Sequence, residues 1–142
     1  MEFDILREKF KPEEAHLISP LTLAFIGDAV YEVFIRTYLL SENKTMKIQK
    51  LHLKTVAYVK AKAQSDYAKA ILELLDEDEL AVFKRGRNTK STAPKNADVS
   101  EYRWATGFEA IIGYLYISGK TDRMNYLLNK IVEVGEKVND KG

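Results

Sequence analysis

The sequence predicts an all-α fold on three observations. Apolar residues recur at three- and four-residue spacing through most of the chain, which is the period of an α-helix. No segment alternates apolar and polar residues over the length of a strand, and no internal repeat is visible. With 142 residues and 46% hydrophobic content, the chain is long enough for one domain, over residues 1–142, and too short for two ordinary ones. We therefore expect one bundle of about six to seven helices.

The first two predicted helical regions fill the N-terminal half of the chain. One helix runs from Pro20 to about Leu40, with Ser19 at its N-cap and Pro20 at the first helical position. A second region covers roughly residues 46–75, where the apolar period continues. We expect a break in this second region near residues 52–55.

The C-terminal half is predicted to contain three more helices and one long loop. The acidic run at residues 76–79 begins a helix through Phe83, because negative charge is favoured at the positive end of the helix dipole. Residues 88–99 contain Pro, Asn, Ser and Thr without an apolar period and therefore indicate a loop. Helix resumes over about 100–119, and a last helix covers about 122–136.

Composition narrows the class of protein. The chain has no cysteine, which excludes disulfides and thiolate zinc sites and asks for no oxidising compartment. Its first residues lack the apolar core of a signal peptide, and no stretch approaches the ~20 apolar residues of a membrane span. We expect a soluble cytoplasmic protein with no membrane partner.

Two acidic residues lie in apolar helical surroundings. Asp28 is found in LTLAFIGDAVYEVF and Glu109 in WATGFEAIIGYLY. A carboxylate among apolar side chains loses its hydration and stays ionised only when a cation, a metal ion or several donors compensate it. Two such acids suggest a metal site; the alternative is that each pairs with a nearby Lys or Arg or caps a backbone group. Small residues beside them would let the two helices approach closely and place the acids opposite each other: Gly27, Ala29, Gly107, Ala110 and Gly113.

A basic segment lies between the two acids. Residues 84–103 carry six basic and two acidic side chains, so their net charge is +4 and the rest of the chain carries −3. Such asymmetry is typical of a protein that meets nucleic acid on one face. An ordinary solvated loop is the alternative.

The two acidic segments together resemble the ribonuclease III family. LAFIGDAVYE is similar to its first motif, a Glu-Phe-Leu-Gly-Asp-Ala/Ser-Val pattern, and FEAIIGYLY is similar to the motif that supplies the second acid. The order and separation of the motifs agree with the family. The basic linker KRGRNTKSTAPKNADVSEYR resembles that of the mini-ribonuclease III branch, which consists of the catalytic domain without a double-stranded-RNA-binding domain.

The resemblance implies a catalytic mechanism. It implies a Mg²⁺-dependent endoribonuclease that cleaves double-stranded RNA and leaves 5′-phosphate and 3′-hydroxyl ends. Asp28 and Glu109 would be the catalytic residues and the metal ligands, because Mg²⁺ prefers carboxylate oxygens and keeps several waters. The family branch also implies precursor 23S ribosomal RNA as substrate, with a ribosomal protein or a preribosomal particle as a further partner.

The sequence departs from the longer enzymes at two acidic positions. It has Ala24 four residues before Asp28 and Thr106 three residues before Glu109, where those enzymes carry acids. The Thr106 hydroxyl would still be able to order a water molecule. These departures motivate a second hypothesis, that the chain is a non-catalytic RNA-binding or ribosome-assembly module. A third hypothesis is a helical protein-interaction module.

RNA binding and dimerisation are assigned to separate surfaces. Side chains of the basic segment suit phosphates and 2′-hydroxyls, which dominate recognition of an RNA duplex. The RNA-binding candidates are Lys84, Arg85, Arg87, Asn88, Lys90, Lys95 and Asn96, with Ser91 and Thr92 as further hydroxyl partners. The resemblance also implies a homodimer, and the first motif's helix supplies its interface candidates: Phe25, Ile26 and Tyr31, unless these side chains belong to the core of one chain.

Overall fold

The computed structural model describes residues 10–90 and 92–139. These residues form seven α-helices and one short 3₁₀ turn, and they contain no β-strand. The prediction of an all-α fold with six to seven helices is confirmed. The helices are α1 (Pro12–Leu17), α2 (Pro20–Glu42), α3 (Ile48–Val59), α4 (Ala61–Ile71), α5 (Glu77–Asn88), α6 (Val99–Ile117) and α7 (Thr121–Asn139).

Helix α6 lies at the centre of the bundle. Every residue from Ala105 to Ile117 is buried except Glu109 and Tyr116. A helix that is apolar on all sides must be covered on all sides, and α6 packs against α1, α2, α4, α5 and α7. Glu109 is therefore the one acidic side chain on the most enclosed stretch of the chain that the structure describes.

The backbones of α2 and α6 touch where two glycines meet. A Cβ atom added to Gly27 would lie 1.7 Å from the carbonyl oxygen of Glu109, and one added to Gly113 would lie 1.9 Å from the carbonyl oxygen of Leu23. No other residue type fits at either position without moving the backbone. The predicted close approach of these two helices is confirmed at this glycine pair.

Two of the other small residues serve a different contact. A Cβ atom on Gly86 of α5 would lie 2.9 Å from the Cα atom of Gly107 and 3.2 Å from the Cβ atom of Ala110. Gly107 and Ala110 therefore receive α5, and the expectation that they help α2 approach α6 is wrong. Ala29 is exposed.

Three helix boundaries differ from the prediction. The break in the second region falls at Lys60 and not at residues 52–55, because Lys60 adopts an extended conformation (φ −63°, ψ 154°) between α3 and α4. Helix α5 continues past Phe83 to Asn88. Basic side chains in its last turn stabilise it by interacting with the negative end of the helix dipole. The short α1 was not predicted, because six residues carry less than two turns of apolar period.

The helix starts agree better with the sequence. Asp76 accepts a hydrogen bond from the backbone N–H of Glu79, and the Glu79 side chain accepts one from the backbone N–H of Asp76. This capping box confirms that the acidic run begins α5. Ser19 occupies the N-cap of α2 without a side-chain capping bond. No helix among the described residues has the length and apolar character to cross a membrane.

Candidate active site

The crossing of α2 and α6 brings Asp28 and Glu109 together. Asp28 follows Gly27, whose backbone contacts Glu109, and the two carboxyl groups are near enough to share a hydrogen bond when one of them carries a proton. Burial raises the pKa of Glu109 to about 9, and the hydrogen bond and the charge of Asp28 act in the same direction. The pair therefore holds a proton at neutral pH as long as no cation is bound.

Neither acid is compensated by a basic side chain. Among the ion pairs of residues 10–90 and 92–139, none includes Asp28 or Glu109. The alternative in which each acid pairs with a nearby Lys or Arg is thus wrong for the described part of the chain. Asp28 is exposed and Glu109 is partly buried, so one carboxyl group faces solvent and the other lies behind it.

A third polar side chain reaches the pair from α4. Gln64 is 3% exposed, and its Nε2 donates a hydrogen bond to the carbonyl oxygen of Val59 at 2.8 Å. The amide also lies near Glu109 and lowers the pKa of Glu109 against the larger effect of burial. Among the described residues, the buried Oε1 atom of Gln64 has no hydrogen-bond partner. Nothing in the sequence motifs pointed to Gln64, and the one available signal was a long amide among the small residues of AKAQSDYAKA.

The donor set fits a hard divalent cation. Within the described ranges, no three His, Cys, Asp or Glu side chains gather as a group able to hold a metal ion. The site instead offers two carboxyl groups and an amide whose oxygen lacks a donor. Oxygen ligands that leave room for water are what Mg²⁺ prefers, whereas tightly held zinc sites use imidazole or thiolate. The residues present therefore suit Mg²⁺.

The two positions that lack acids are both closed to solvent. Ala24 is 7% exposed and Thr106 is 6% exposed. The Thr106 hydroxyl donates to the carbonyl oxygen of Tyr102 at 2.9 Å, one turn earlier in α6. Only its lone pairs remain for a water molecule, so its predicted part in ordering water stays a prediction.

The cations of the basic segment have different surroundings. The Arg85 guanidinium donates to the carbonyl oxygens of His16 and Ile18, at 2.5 and 3.3 Å, and so ties α5 to the end of α1. The Arg87 guanidinium lies over the rings of Phe83 and Trp104, 5.6 and 5.7 Å from their centroids. Both arginines therefore have structural contacts that the sequence did not reveal.

The remaining candidates extend from the end of α5 into the loop. Asn88 accepts a hydrogen bond from Arg87 at 3.2 Å, and Asn96 has a positive φ of 70°. Ser91 lies outside the described residues. No ion pair in the described ranges involves the three exposed lysines of this surface, which are Lys84, Lys90 and Lys95.

Sequence reasoning missed Trp104, which joins this surface to α4. Its ring is flanked by Arg87 and by Lys69, whose Nζ lies 5.3 Å from the ring centroid. A shallow hollow between α5 and the start of α6 is formed around it by Arg87, Asn88, Val99, Ser100, Arg103 and Trp104. The positive surface is therefore broader than the linear segment.

The three proposed interface residues of α2 separate into surface and core. Phe25 is 75% exposed, and Ile26 is partly buried against the core. Tyr31 is fully buried, and its hydroxyl donates to the carbonyl oxygen of Tyr58 at 2.9 Å. The assignment of Tyr31 to a dimer interface is therefore wrong, because the side chain is enclosed within one chain. No second chain tests Phe25 or Ile26, which stay predictions.

Comparison with known proteins agrees with this fold. Residues 21–120 match the family model described as Ribonuclease III domain. The chain therefore belongs to the ribonuclease III family, and its resemblance to the mini-ribonuclease III branch is confirmed by individual relatives. Mini-ribonuclease 3 of Clostridium tetani is 49% identical over 133 residues, which are 93% of this chain and 88% of that protein. Mini-ribonuclease 3 of Enterococcus faecalis is 45% identical over 87% of this chain and 96% of its own.

A solved structure is similar as well. The crystal structure of protein FN1578 from Fusobacterium nucleatum matches with a TM-score of 0.75 at 38% sequence identity. The match covers 81% of this chain and 93% of that one. The helical arrangement is thus shared with an experimentally determined protein.

Proposed function

We propose that this chain is a Mg²⁺-dependent endoribonuclease that cleaves double-stranded RNA at Asp28 and Glu109. The observation that carries the proposal is the contact between these two carboxyl groups, which no basic side chain of the described residues compensates. Two adjacent acids, one of them partly buried, are unfavourable until a cation binds. The relatives' name, Mini-ribonuclease 3, supports the same reaction class.

The two acids would have different tasks. Asp28 is exposed and can meet a hydrated cation that arrives with the substrate. Glu109 lies behind it and would release its proton when positive charge is brought to the site, because an opposite charge favours the ionised form. When bound, Mg²⁺ supplies charge stabilisation to the scissile phosphodiester and makes a water molecule more acidic. We expect 5′-phosphate and 3′-hydroxyl products, as the family resemblance implies.

The RNA would be held by the positive surface around Trp104. Lys84, Lys90 and Lys95 are exposed and can contact phosphates. An RNA duplex is recognised mostly by its backbone and shape, so a few mobile cations suit it. Precursor 23S ribosomal RNA as the natural substrate, a ribosomal protein or preribosomal particle as a partner, and a cytoplasmic location belong to this proposal.

A duplex has two strands, and one chain offers one pair of acids. We therefore include a homodimer in the proposal, with one site for each strand and a two-fold axis between them. Phe25 supports this arrangement, because an aromatic side chain that is 75% exposed is available to a second subunit. Leu21 and Val33 lie on the same face of α2 and are also exposed.

The reaction is tested with an end-labelled RNA duplex incubated with and without Mg²⁺. Wild-type protein should cleave only with the cation, and Asp28→Asn should bind the duplex without cleaving it. Asp66→Asn is the matched control, because Asp66 is an exposed acid paired with Lys62. Binding without cleavage by wild-type protein would favour the RNA-binding module instead. Absence of any salt-sensitive RNA affinity would favour the protein-interaction module.

The RNA surface is tested by comparing variants of its exposed lysines with a variant of Arg85. Lys84→Ala combined with Lys90→Ala should weaken duplex affinity and reduce the slope of log affinity against log salt by up to ~0.9 per lost phosphate contact, a magnitude taken from duplex DNA. Arg85→Ala should chiefly lower stability, because Arg85 ties α1 to α5. Equal salt slopes for wild type and the double variant would place the RNA elsewhere.

The dimer is tested by sedimentation and by strand counting. Phe25→Asp should halve the mass of the particle in solution. Leu17→Asp should not, because Leu17 is also exposed, at 86%, but lies on α1 and not on the proposed interface of α2. Wild-type subunits mixed with Asp28→Asn subunits should nick one strand of a duplex whose strands carry different labels. A folded monomer that cuts both strands together at full rate would rule the arrangement out.

A further inference from the structure

The orientation of the Gln64 amide is determined by the break between α3 and α4. Val59 is the last residue of α3, and its carbonyl oxygen accepts a hydrogen bond from Gln64 Nε2 at 2.8 Å. A carbonyl can only accept, so the amide nitrogen must face Val59 and the amide oxygen must point away from it. The fold thereby decides which end of the amide is free.

The second N–H and the oxygen of the Gln64 amide are available to the acid pair. The amide lies near Glu109, and its nitrogen has a second N–H to donate after the Val59 contact. The Oε1 atom lies on the same group, is buried, and has no partner among the described residues. A buried acceptor without a donor destabilises the folded state, and the Val59 contact does not satisfy this oxygen.

We propose that Gln64 is a positioning residue of the cation site: its N–H group holds the Glu109 carboxylate, and its unpartnered oxygen accepts a hydrogen bond from a water of the hydrated cation. The inference rests on the proposed function. Mg²⁺ keeps several of its waters when bound to protein, and those waters are strong donors. Residues that orient metal ligands in this way typically change metal affinity by about 10–100-fold when they are replaced.

Two substitutions at this position should act in opposite directions. Gln64→Met keeps the length of the side chain and removes both polar ends, so Mg²⁺ affinity should fall by about 10-fold or more. Gln64→Glu adds a third carboxylate beside the pair, so Mg²⁺ affinity should rise at a pH where it ionises. A purely structural role for Gln64 predicts lower stability in both variants and no such change of sign.

Affinity is measured by calorimetric titration of Mg²⁺ into protein without RNA, and folding is followed by circular dichroism and urea denaturation. Thr55→Val is the matched control, because Thr55 is a buried residue of α3 whose hydroxyl donates to a backbone carbonyl, that of Leu51, at 2.8 Å. It should lose stability and keep the wild-type Mg²⁺ affinity. Cleavage rates at saturating Mg²⁺ should recover in Gln64→Met more fully than at low Mg²⁺.

Unchanged Mg²⁺ affinity in folded Gln64→Met would overturn the inference. If that variant does not fold, Gln64→Glu decides alone, and affinity equal to or weaker than wild type would overturn it. The proposed function fails separately, when wild-type protein cleaves RNA without a divalent cation or when Asp28→Asn keeps full activity. A Mg²⁺-dependent, Asp28-dependent nuclease with an indifferent Gln64 would contradict only the inference.

Discussion

Glu79 is fully buried and Glu109 is partly buried, and the two acids have opposite surroundings. Glu79 is 0% exposed at the start of α5, where Arg123 of α7 donates to Oε2 at 2.8 Å and to Oε1 at 2.9 Å. The backbone N–H of Asp76 donates to the same carboxylate at 3.0 Å. Glu109 has no such cation among the described residues and instead lies near Asp28 and Gln64. The described part of the chain thus contains a fully buried acid that is compensated and a partly buried acid that is not.

The difference distinguishes a carboxylate that stabilises the fold, Glu79, from one that is suited to bind a cation, Glu109. The hydrogen bond to Glu79 is the main cause that raises the pKa of Arg123, so these two side chains hold each other in place. Burial and a second carboxyl group raise the pKa of Glu109. Its ionised form is therefore unfavourable until a cation binds beside it. Burial of an acid alone is therefore a poor guide to function, and the identity of its neighbours decides.

The largest expected effect comes from exchanging each acid for its amide. Glu109→Gln should lower RNA cleavage by more than about 100-fold while the helical content stays the same, because it removes a charged oxygen ligand. Glu79→Gln should keep the cleavage rate per folded molecule. Single-turnover cleavage at saturating Mg²⁺ measures both. Retained activity in Glu109→Gln would break the distinction.

Stability should show the reverse order. Glu79→Ala leaves Arg123 without its buried partner and should lower the free energy of unfolding by about 3 kcal/mol. Glu109→Gln removes an unfavourable carboxyl contact and should leave stability equal or higher at neutral pH. Urea denaturation followed by circular dichroism gives both values. A larger loss in Glu109→Gln than in Glu79→Ala would show that Glu109 supports the fold.

Magnesium should stabilise only the protein that keeps the acid pair. At a concentration of 100 times its dissociation constant, a ligand that binds the folded state alone adds about 2.7 kcal/mol. We expect this gain for wild type and for Glu79→Gln, and none for Glu109→Gln. Thermal unfolding with and without Mg²⁺ measures it, with Asp66→Asn as a control on an exposed acid. A full gain in stability on adding Mg²⁺ to Glu109→Gln would indicate that the cation does not bind at α6.

The last comparison concerns the pH dependence of stability without Mg²⁺. The pKa of Glu109 is raised from 4.5 to about 9 in the folded state, so the folded chain binds one more proton than the unfolded chain between these values. Its contribution is fully present below about 4.5 and is lost as pH rises through about 9. Wild type should therefore lose stability relative to Glu109→Gln across this window. A constant difference between the two proteins would show that the acid is compensated after all.

Local pattern was enough to predict the helices and the principal pair of acids. The apolar period and the start signals at Pro20 and Asp76 depend on neighbours within a few residues, so they can be read along the chain. Gly27 and Gly113 also indicated a close helix crossing, because few other reasons place glycine inside an apolar helix. The contact between Asp28 and Glu109 followed from these observations.

Long-range packing decided the rest. Gln64 meets Glu109 only because the chain turns at Lys60 and lays α4 against α6, and no local signal predicts that turn or its direction. Tyr31 belongs to the core and Arg85 to the end of α1 for the same reason, since both partners are distant in sequence. The amino-acid sequence by itself determined an all-α nuclease-like chain with two candidate acids. The tertiary structure decided which polar groups surround them, because a side chain's partners depend on how whole helices pack.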